Sequence, residues 1–457
     1  MARSLPTTAE GAPSLAGFRV LVVGLGRFGG GVGVTRWLAA QGAVVTVTDQ
    51  APRETLAESV QAVADLDLSL HLGGHDPGDL DEIDLAVVNP AVDKTHSELF
   101  QAIVLRGIPW TTEMNLFCER CPAPVIGVTG TYGKSTTCVM LAEALEACRR
   151  HRGVEYTGVH LGGNIGRSLL TELDSIRPTD LVVLEMSMAQ LEDLPRIRWA
   201  PSVAAITCLS PHHLDRYGTH TKYVAAKLNI AGGPQNTSKI IVGDIDPEAE
   251  AVLRRAAPDA ARLMRVARPD PSVALLVPGD HNQANAACVL TVCQHLGLDE
   301  AAVREALRSF KGLPHRLEHV RTLDGVEYYN DSKSTSPATT ISAVESLHRP
   351  IVAIVGGQDK GVSLTDCAAA LVRACRLVIC AGESGPSYTR AIRKAEGATH
   401  RVIVREVDGL EAAVELARSE ARRGDAVLFS PGAPSFDAYA NFADRGRHFV
   451  DAVNALS

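Results

Sequence analysis

The chain is expected to fold as an α/β protein of several domains built on parallel sheets, and three observations carry that expectation. Apolar runs of strand length alternate with longer segments of helical period along the whole sequence, the pattern of βαβ units rather than of a sandwich or a bundle. Two strand–glycine loop–helix junctions occur, "FRVLVVGLGRFGG" (18–30) and "PVIGVTGTYGKSTT" (124–137). At 457 residues the chain exceeds a single core, so two to four domains are expected, with three at the centre of that range.

Composition narrows the function classes. A formal charge of -8 gives no basic footprint, so no nucleic-acid partner is expected. No apolar run approaches the roughly 20 residues that span a bilayer, and "MARSLPTTAEGAPSLAG" lacks the apolar centre of a signal peptide. No membrane association is expected, and the cytoplasm is the expected compartment. The ten cysteines read as small apolar filler in a reducing compartment. Cys118 and Cys121 alone have C-x-x-C spacing, and without a second pair they read as structural rather than zinc-binding.

Three punctuated blocks follow in order. The first opens on "FRVLVVG" and closes near Trp110, where "RGIPWTTEMNLFCERCPAP" supplies three prolines and little periodicity. The second begins at "APVIGVTG" and ends near Gly312, where "SFKGLPHRLEHV" interrupts a helical pattern before strands resume.

In the first block Gly24, Gly26 and Gly29 have G-x-G-x-x-G spacing directly after a strand, and Asp49 closes a second strand. That is the dinucleotide pattern, in which glycines admit a pyrophosphate to a helix N-terminus and the acid takes a ribose hydroxyl. Any nucleotide diphosphate offers the same groups, so the motif argues for a nucleotide-like ligand before it argues for NAD. Gly30, Gly31 and Gly33 crowd the following helix, where each costs about 1 kcal/mol against Ala. They point to close backbone approach or to plain loop.

In the second block Gly130, Gly133, Lys134 and Ser135 sit between a buried strand and a helix, which aims N–H groups and the positive helix end at phosphate oxygens. Lys134 would reach the outer phosphates, and Ser135 would offer its hydroxyl to Mg²⁺. Strict Walker spacing wants glycine at position 128, where this chain has Val128. Glu185 follows the strand "DLVVLE" and His213 follows "SVAAITCLS", so both should emerge at the sheet edge where such folds bind ligands.

With these residues in view the chain resembles the Mur ligases over nearly its whole length. The resemblance is carried by "GVTGTYGKSTT", "GGNIG" (162–166), "LEMSMAQLE" (184–192), "SPHHLDRY" with "YVAAKLNI", "GDHNQANAA" (279–287), "GLPHRLEHV", "YNDSKSTSP" (329–337), "GGQDKG" (356–361) and "SPGAPSFDAYANFADRG" (430–446). "NDSKST" and "SPGAPSFD" resemble the branch that adds D-glutamate. The resemblance implies a Rossmann-like N-terminal domain for the UDP part of a substrate (1–111), a P-loop mononucleotide-binding central domain (112–312) and a Rossmann-like C-terminal domain for the acceptor amino acid (313–457). The implied reaction uses ATP to convert the carboxylate of UDP-N-acetylmuramoyl-L-alanine to an acyl phosphate, which the amine of D-glutamate attacks.

Position by position, the resemblance implies phosphate contacts for Gly130, Thr131, Gly133, Lys134, Ser135 and Thr136, and a first Mg²⁺ on Ser135 and Glu185. It implies a second Mg²⁺ on His213 and a carbamylated Lys227. Asn164 would contact the substrate near the reacting carboxylate, while Gly24, Gly26 and Asp49 would hold its nucleotide. His281, Asn282 and Asn285 are implied around the adenine, Arg316 on phosphate and Asp331 on the ribose. Lys333, Thr335, Lys360, Ser435 and Phe436 would surround D-glutamate, whose two carboxylates require cations and hydroxyl or backbone donors. A monomer is expected.

Four places depart from the family pattern. Tyr132 replaces an Asn in the phosphate loop, His212 replaces an Asp, "NPAV" (89–92) replaces Ser-Pro-Gly, and Arg27 joins the glycine cluster. A nicotinamide dehydrogenase, a non-catalytic nucleotide-binding scaffold and a related ligase with another acceptor stand as rival readings.

Overall fold

The computed structural model describes residues 15–27, 29–150, 154–211, 217–233, 235–270, 272–396 and 402–457. The chain forms two compact units, one of residues 1–268 with 284–304 and one of residues 269–283 with 305–457.

The first unit contains two parallel sheets. β1 (Arg19–Val23), β2 (Val44–Asp49), β3 (Ser69–Leu72), β4 (Leu85–Val88) and β5 (Trp110–Thr111) are ordered β3-β2-β1-β4-β5. The chain order reverses between β1 and β4, and the ends of those strands form the crevice where doubly wound sheets take ligands. β6 (Val125–Thr129), β7 (Val159–Gly163), β8 (Leu181–Glu185), β9 (Val203–Leu209), β10 (Lys239–Ile245) and β11 (Leu263–Arg265) are ordered β11-β10-β9-β6-β8-β7. The residues of β6, β8 and β4 are wholly buried, which is why they read as continuous apolar runs rather than alternating ones.

The stretch with three prolines and little periodicity is a helix, Glu113–Arg120, rather than a linker. Its start is fixed by Thr112, whose hydroxyl accepts from the Asn115 N–H at 3.2 Å, and proline cannot continue it beyond Cys121. Periodicity is weak because the helix is enclosed on several sides: Met114, Asn115, Leu116, Phe117 and Cys118 are all buried. Met114, Leu116 and Phe117 join the core that includes residues of both sheets, each stabilising by about 1.5–3 kcal/mol. Polar braces join the same two layers. Lys94 pairs with Asp193 at 2.8 Å, and the Arg196 guanidinium lies 3.7 Å from the Trp110 ring centroid.

The second unit carries β12 (Glu318–Leu323), β13 (Val326–Asn330), β14 (Ile351–Val355), β15 (Cys375–Cys380), β16 (Ile403–Glu406) and β17 (Ala426–Phe429), ordered β12-β13-β17-β14-β15-β16. This sheet departs from the all-parallel expectation at one edge, where β12 and β13 are antiparallel. The cause is local. Asp324 and Gly325 have φ of 52° and 80°, the positive values a two-residue hairpin turn requires, and Asp-Gly is among the sequences that adopt them.

Replacing Thr112 with Ala is expected to cost about 1 kcal/mol of stability through loss of the cap, seen as a lower apparent Tm in a thermal scan. Thr112→Ser keeps the acceptor oxygen and should retain most of it, and equal losses in the two variants would contradict the capping role.

Candidate active site

The phosphate loop owes its geometry to the strand order. β6 lies between β8 and β9, with Val128 beside Glu185 and Thr129 beside Ile206, so the loop leaving β6 is flanked by the ends of both neighbours. The Thr131 N–H donates to the Cys208 carbonyl at 2.8 Å, the Thr207 hydroxyl donates to the Tyr132 carbonyl, and the Tyr223 hydroxyl donates to Thr131 Oγ1 at 3.0 Å. Gly130 (φ 153°) and Gly133 (φ 81°) have no room for a side chain: a Cβ would come within 2.0 Å of Thr207 Oγ1 and 2.2 Å of Asn285 Oδ1 respectively. Val128, by contrast, is a buried residue inside β6. A glycine there would serve no turn, which accounts for the departure from strict Walker spacing.

The helix Lys134–Arg150 begins at the loop's last residues, with Ser135 and Thr136 in its first turn. Lys134 Nζ lies over the loop, 3.1 Å from the Gly130 carbonyl and 3.2 Å from that of Thr131. Tyr132 is 60% exposed, so the ring that replaces the smaller Asn projects outward. Asn285 packs beneath Gly133.

Beside this loop, Glu185 closes β8 at 1% exposure. Its Oε1 accepts from the Asn164 amide at 2.8 Å, and Oε2 is buried with no hydrogen-bond partner among the described residues. A buried acceptor left this way costs free energy unless a cation or donor meets it. Lys227, in the helix His220–Leu228, is 3% exposed, with Nζ 5.2 Å from the Tyr223 ring centroid. Burial, and then the like charge of Lys134, pulls the Lys227 ammonium down to about 7, with Cys208 and Glu185 opposing. His213, and His212 with it, lie outside the described residues.

The first cavity of the unit, about 420 Å³, opens at the ends of β1 and β4 and extends to Asn164 and Gln190. Gly24, Gly26, Asp49 and the departures Arg27, Asn89, Pro90 and Ala91 all line it. Asp49 shapes the glycine turn, its Oδ2 accepting from the Gly26 N–H at 3.0 Å and its Oδ1 from the Ala51 N–H at 2.8 Å. The crowding of glycines has a steric cause. A Cβ at Gly31 would lie 2.1 Å from the Leu25 carbonyl oxygen, and one at Gly33 would lie 2.6 Å from Ser168 Cβ.

In the second unit, burial lowers the His281 pKa, opposed by Asp280, and nearby Arg316 adds to the lowering. The Asn282 amide donates to the Pro278 carbonyl at 2.6 Å. Asp331 is buried, accepts from the Leu317 N–H at 3.2 Å and from the Ser334 and Ser430 hydroxyls, and burial pushes its carboxyl up to about 6. A cavity of about 290 Å³ is lined by Thr335, Lys360, Gly432, Ala433 and Pro434 among others. Ser435 is buried beside that lining, Lys333 Nζ lies 5.8 Å from the Phe442 ring centroid, and Phe436 is 63% exposed and does not line the cavity.

Two residues of this region had no motif role. Phe442 meets Lys333. Arg445, wholly enclosed, donates to the carbonyls of Ser332, Ala433 and Pro434 at 3.0–3.1 Å and to the Ser332 hydroxyl at 3.1 Å, so one guanidinium ties the loop after β13 to the loop after β17. Both lie within the quoted stretch 430–446, but sequence alone does not tell an Arg that braces loops from one that meets solvent.

A glycine loop between a buried strand and a helix with a lysine folded over it, a buried carboxylate with one unpartnered oxygen beside it and a glycine-turn cavity at the reversal point of a doubly wound sheet are the features of a nucleotide-using α/β enzyme. The chain belongs to the Mur ligase family, whose members couple ATP use to amide-bond formation. The family models matched are the MurD-like N-terminal domain at residues 18–110, the middle domain at 128–271 and the glutamate ligase domain at 315–432. The chain is 37% identical over 463 residues to a UDP-N-acetylmuramoylalanine--D-glutamate ligase of Symbiobacterium thermophilum, covering 96% of this chain and 98% of that one. It is 34% identical to the enzyme of the same name from a Roseiflexus species, covering 97% and 100%. Among solved structures, the fold matches a UDP-N-acetylmuramate-alanine ligase from Thermotoga maritima with a TM-score of 0.54 at 20% identity, covering 96% of this chain and 99% of that one. The Mur ligase fold, three α/β domains, is thereby established. No helix among the described residues is long and apolar enough to cross a membrane.

Lys227 should lose its proton around pH 7, where an ordinary lysine does so above about pH 10. Its rate of acetylation by acetic anhydride, a reagent that does not itself ionise, followed by mass spectrometry of the Lys227 peptide, should therefore rise through about pH 7 and level off by about pH 9. A rate still climbing at about pH 10 would contradict the depressed pKa.

Proposed function

We propose that this enzyme joins D-glutamate to UDP-N-acetylmuramoyl-L-alanine with hydrolysis of ATP to ADP, in peptidoglycan synthesis. The observation that carries the reaction class is the phosphate loop, its backbone bent at Gly130 and Gly133 with Lys134 over its carbonyls. The D-glutamate ligases of similar sequence, alignable over nearly all of both chains, support the particular substrates. A nicotinamide dehydrogenase leaves the phosphate loop without a purpose.

A carboxylate is a poor electrophile until one oxygen becomes a phosphate leaving group. In the proposed mechanism the loop N–H groups, with Thr131, Thr136 and the helix N-terminus, hold the outer phosphates of ATP. Lys134 neutralises charge on the transferred group. Asn164 orients the alanyl carboxylate that attacks it. The amine of D-glutamate then attacks the acyl carbon, phosphate departs, and the amide forms. Asn285, His281 and Asn282 are assigned to the adenine, Arg316 to phosphate and Asp331 to the ribose.

Hard oxygen donors suit Mg²⁺, and the unsatisfied Oε2 of Glu185 with the Ser135 hydroxyl fits that ion. Bound there, Mg²⁺ would supply positive charge that lets two anions approach. Lys227, a substantial share of it neutral at physiological pH, is able to take up CO₂ as a carbamate with release of a proton. It would then offer oxygen ligands to a second Mg²⁺ with His213.

The first cavity, within 1–111 and the adjoining central domain, is assigned to the UDP-substrate. Thr335 and Lys360 are assigned to the acceptor, with Lys333, Ser435 and Phe436 in its surroundings. A cytoplasmic monomer is proposed.

Phosphate release from ATP should require both UDP-N-acetylmuramoyl-L-alanine and D-glutamate, in Mg²⁺ and bicarbonate; release with another amino acid but not D-glutamate would overturn the acceptor. Lys134→Ala should lower kcat by about a hundredfold or more, and near-normal turnover would refute its assignment. Lys360→Ala should raise KM for D-glutamate about tenfold or more while leaving KM for ATP unchanged; a change confined to ATP would move the acceptor pocket elsewhere.

A further inference from the structure

Glu113 belongs to none of the motifs, and the phosphate-transfer chemistry leaves it unused. It is the first residue of the helix Glu113–Arg120, and it lines the first cavity together with Ser168. Asp49 and Glu113 are the two acids in that lining. Both oxygens of Asp49 are engaged by backbone N–H groups. Glu113 accepts one hydrogen bond, from the Ser168 hydroxyl to Oε1, and no other is formed to its carboxylate among the described residues.

The pair has a defined place along the cavity. Ser168 touches Gly33, in the first turn of the helix Gly30–Ala40 that follows the glycine turn. It also closes the loop 164–168, which begins at Asn164 with its bond to Glu185. Glu113 and Ser168 therefore lie between the end suited to a diphosphate and the end suited to the carboxylate that is activated. An ionised carboxylate only accepts hydrogen bonds, so it repels phosphate and suits hydroxyl or amide N–H donors. In a nucleotide-linked sugar acid such donors lie on the uncharged portion that joins the two anionic ends. Enclosure by protein raises the Glu113 pKa, partly offset by the Ser168 bond, so a partner that donates to this group would also help keep it ionised.

We infer that Glu113 is a specificity-determining residue: its second carboxylate oxygen accepts a hydrogen bond from a hydroxyl or amide N–H on the sugar-acid portion of the substrate, while Ser168 fixes the carboxylate's orientation. This rests on the assignment of the first cavity to the nucleotide-sugar substrate.

Calorimetric titration of the full chain with two ligands tests it: UDP-N-acetylmuramoyl-L-alanine, and UDP, which lacks the sugar acid. Glu113→Ala should weaken the first about ten- to a hundredfold and leave UDP affinity within about twofold. Glu113→Gln, which keeps the shape but exchanges an acceptor oxygen for a donor, should weaken the first ligand selectively as well. Equal weakening of both ligands would make Glu113 a structural support and overturn the inference, as would unchanged affinity for the sugar acid. If the wild-type chain bound neither ligand, the assignment of the cavity itself would fall, and this inference with it. UDP affinity in each variant also reports that the cavity is still folded.

Discussion

The chemistry of this enzyme depends on a backbone bend that no side chain can share. Between β6 and the helix Lys134–Arg150 the chain turns so tightly against Thr207 and Asn285 that Cβ atoms at Gly130 and Gly133 would overlap them. The bend is held from outside by carbonyl and hydroxyl groups on β9 and its neighbours. In the proposed mechanism that rigidity lets backbone N–H groups and a helix end serve as a fixed anion site rather than one reorganised at each turnover.

The surroundings of the loop hold two ionisable groups at a cost in solvation. Lys227 is buried deeply enough that its charged and neutral forms are nearly balanced at physiological pH, and Glu185 keeps an oxygen without a partner. Each is unfavourable in isolation. In the proposed mechanism the Glu185 oxygen would be relieved by a bound cation, and Lys227 would be relieved by conversion to a carbamate. The strand order makes this possible, because β8 and β9 deliver their ends to the two sides of one loop.

The loops after β13 and β17, to which the acceptor is assigned in the proposed function, have little regular hydrogen bonding of their own. Arg445 answers it by spending four of its N–H contacts on loop carbonyls and a hydroxyl rather than on a carboxylate. Burial brings its pKa down to about 10, so it remains a cation at neutral pH. The nearby Asp437 opposes that lowering, and the hydrogen bonds of the guanidinium go to neutral groups.

The sequence by itself determined the α/β class, the two glycine junctions and the placing of Lys134 and Ser135 at a helix start and Glu185 at a strand end, because strand burial and tight glycine turns demand particular residues at fixed local spacing. It also carried the Asp-Gly turn that makes one edge of the third sheet antiparallel, although alternation of strands and helices suggested parallel strands throughout. Tertiary structure alone decided that "TEMNLFCER" is a helix, since enclosure on several sides erases the periodicity by which helices are read. It alone decided that Val128 needs no glycine, that Lys227 is close to half neutral, that Glu113 lines the first cavity, and that Arg445 ties two loops together. Burial and contact between residues distant in sequence set those properties, and neither quantity is written in local spacing.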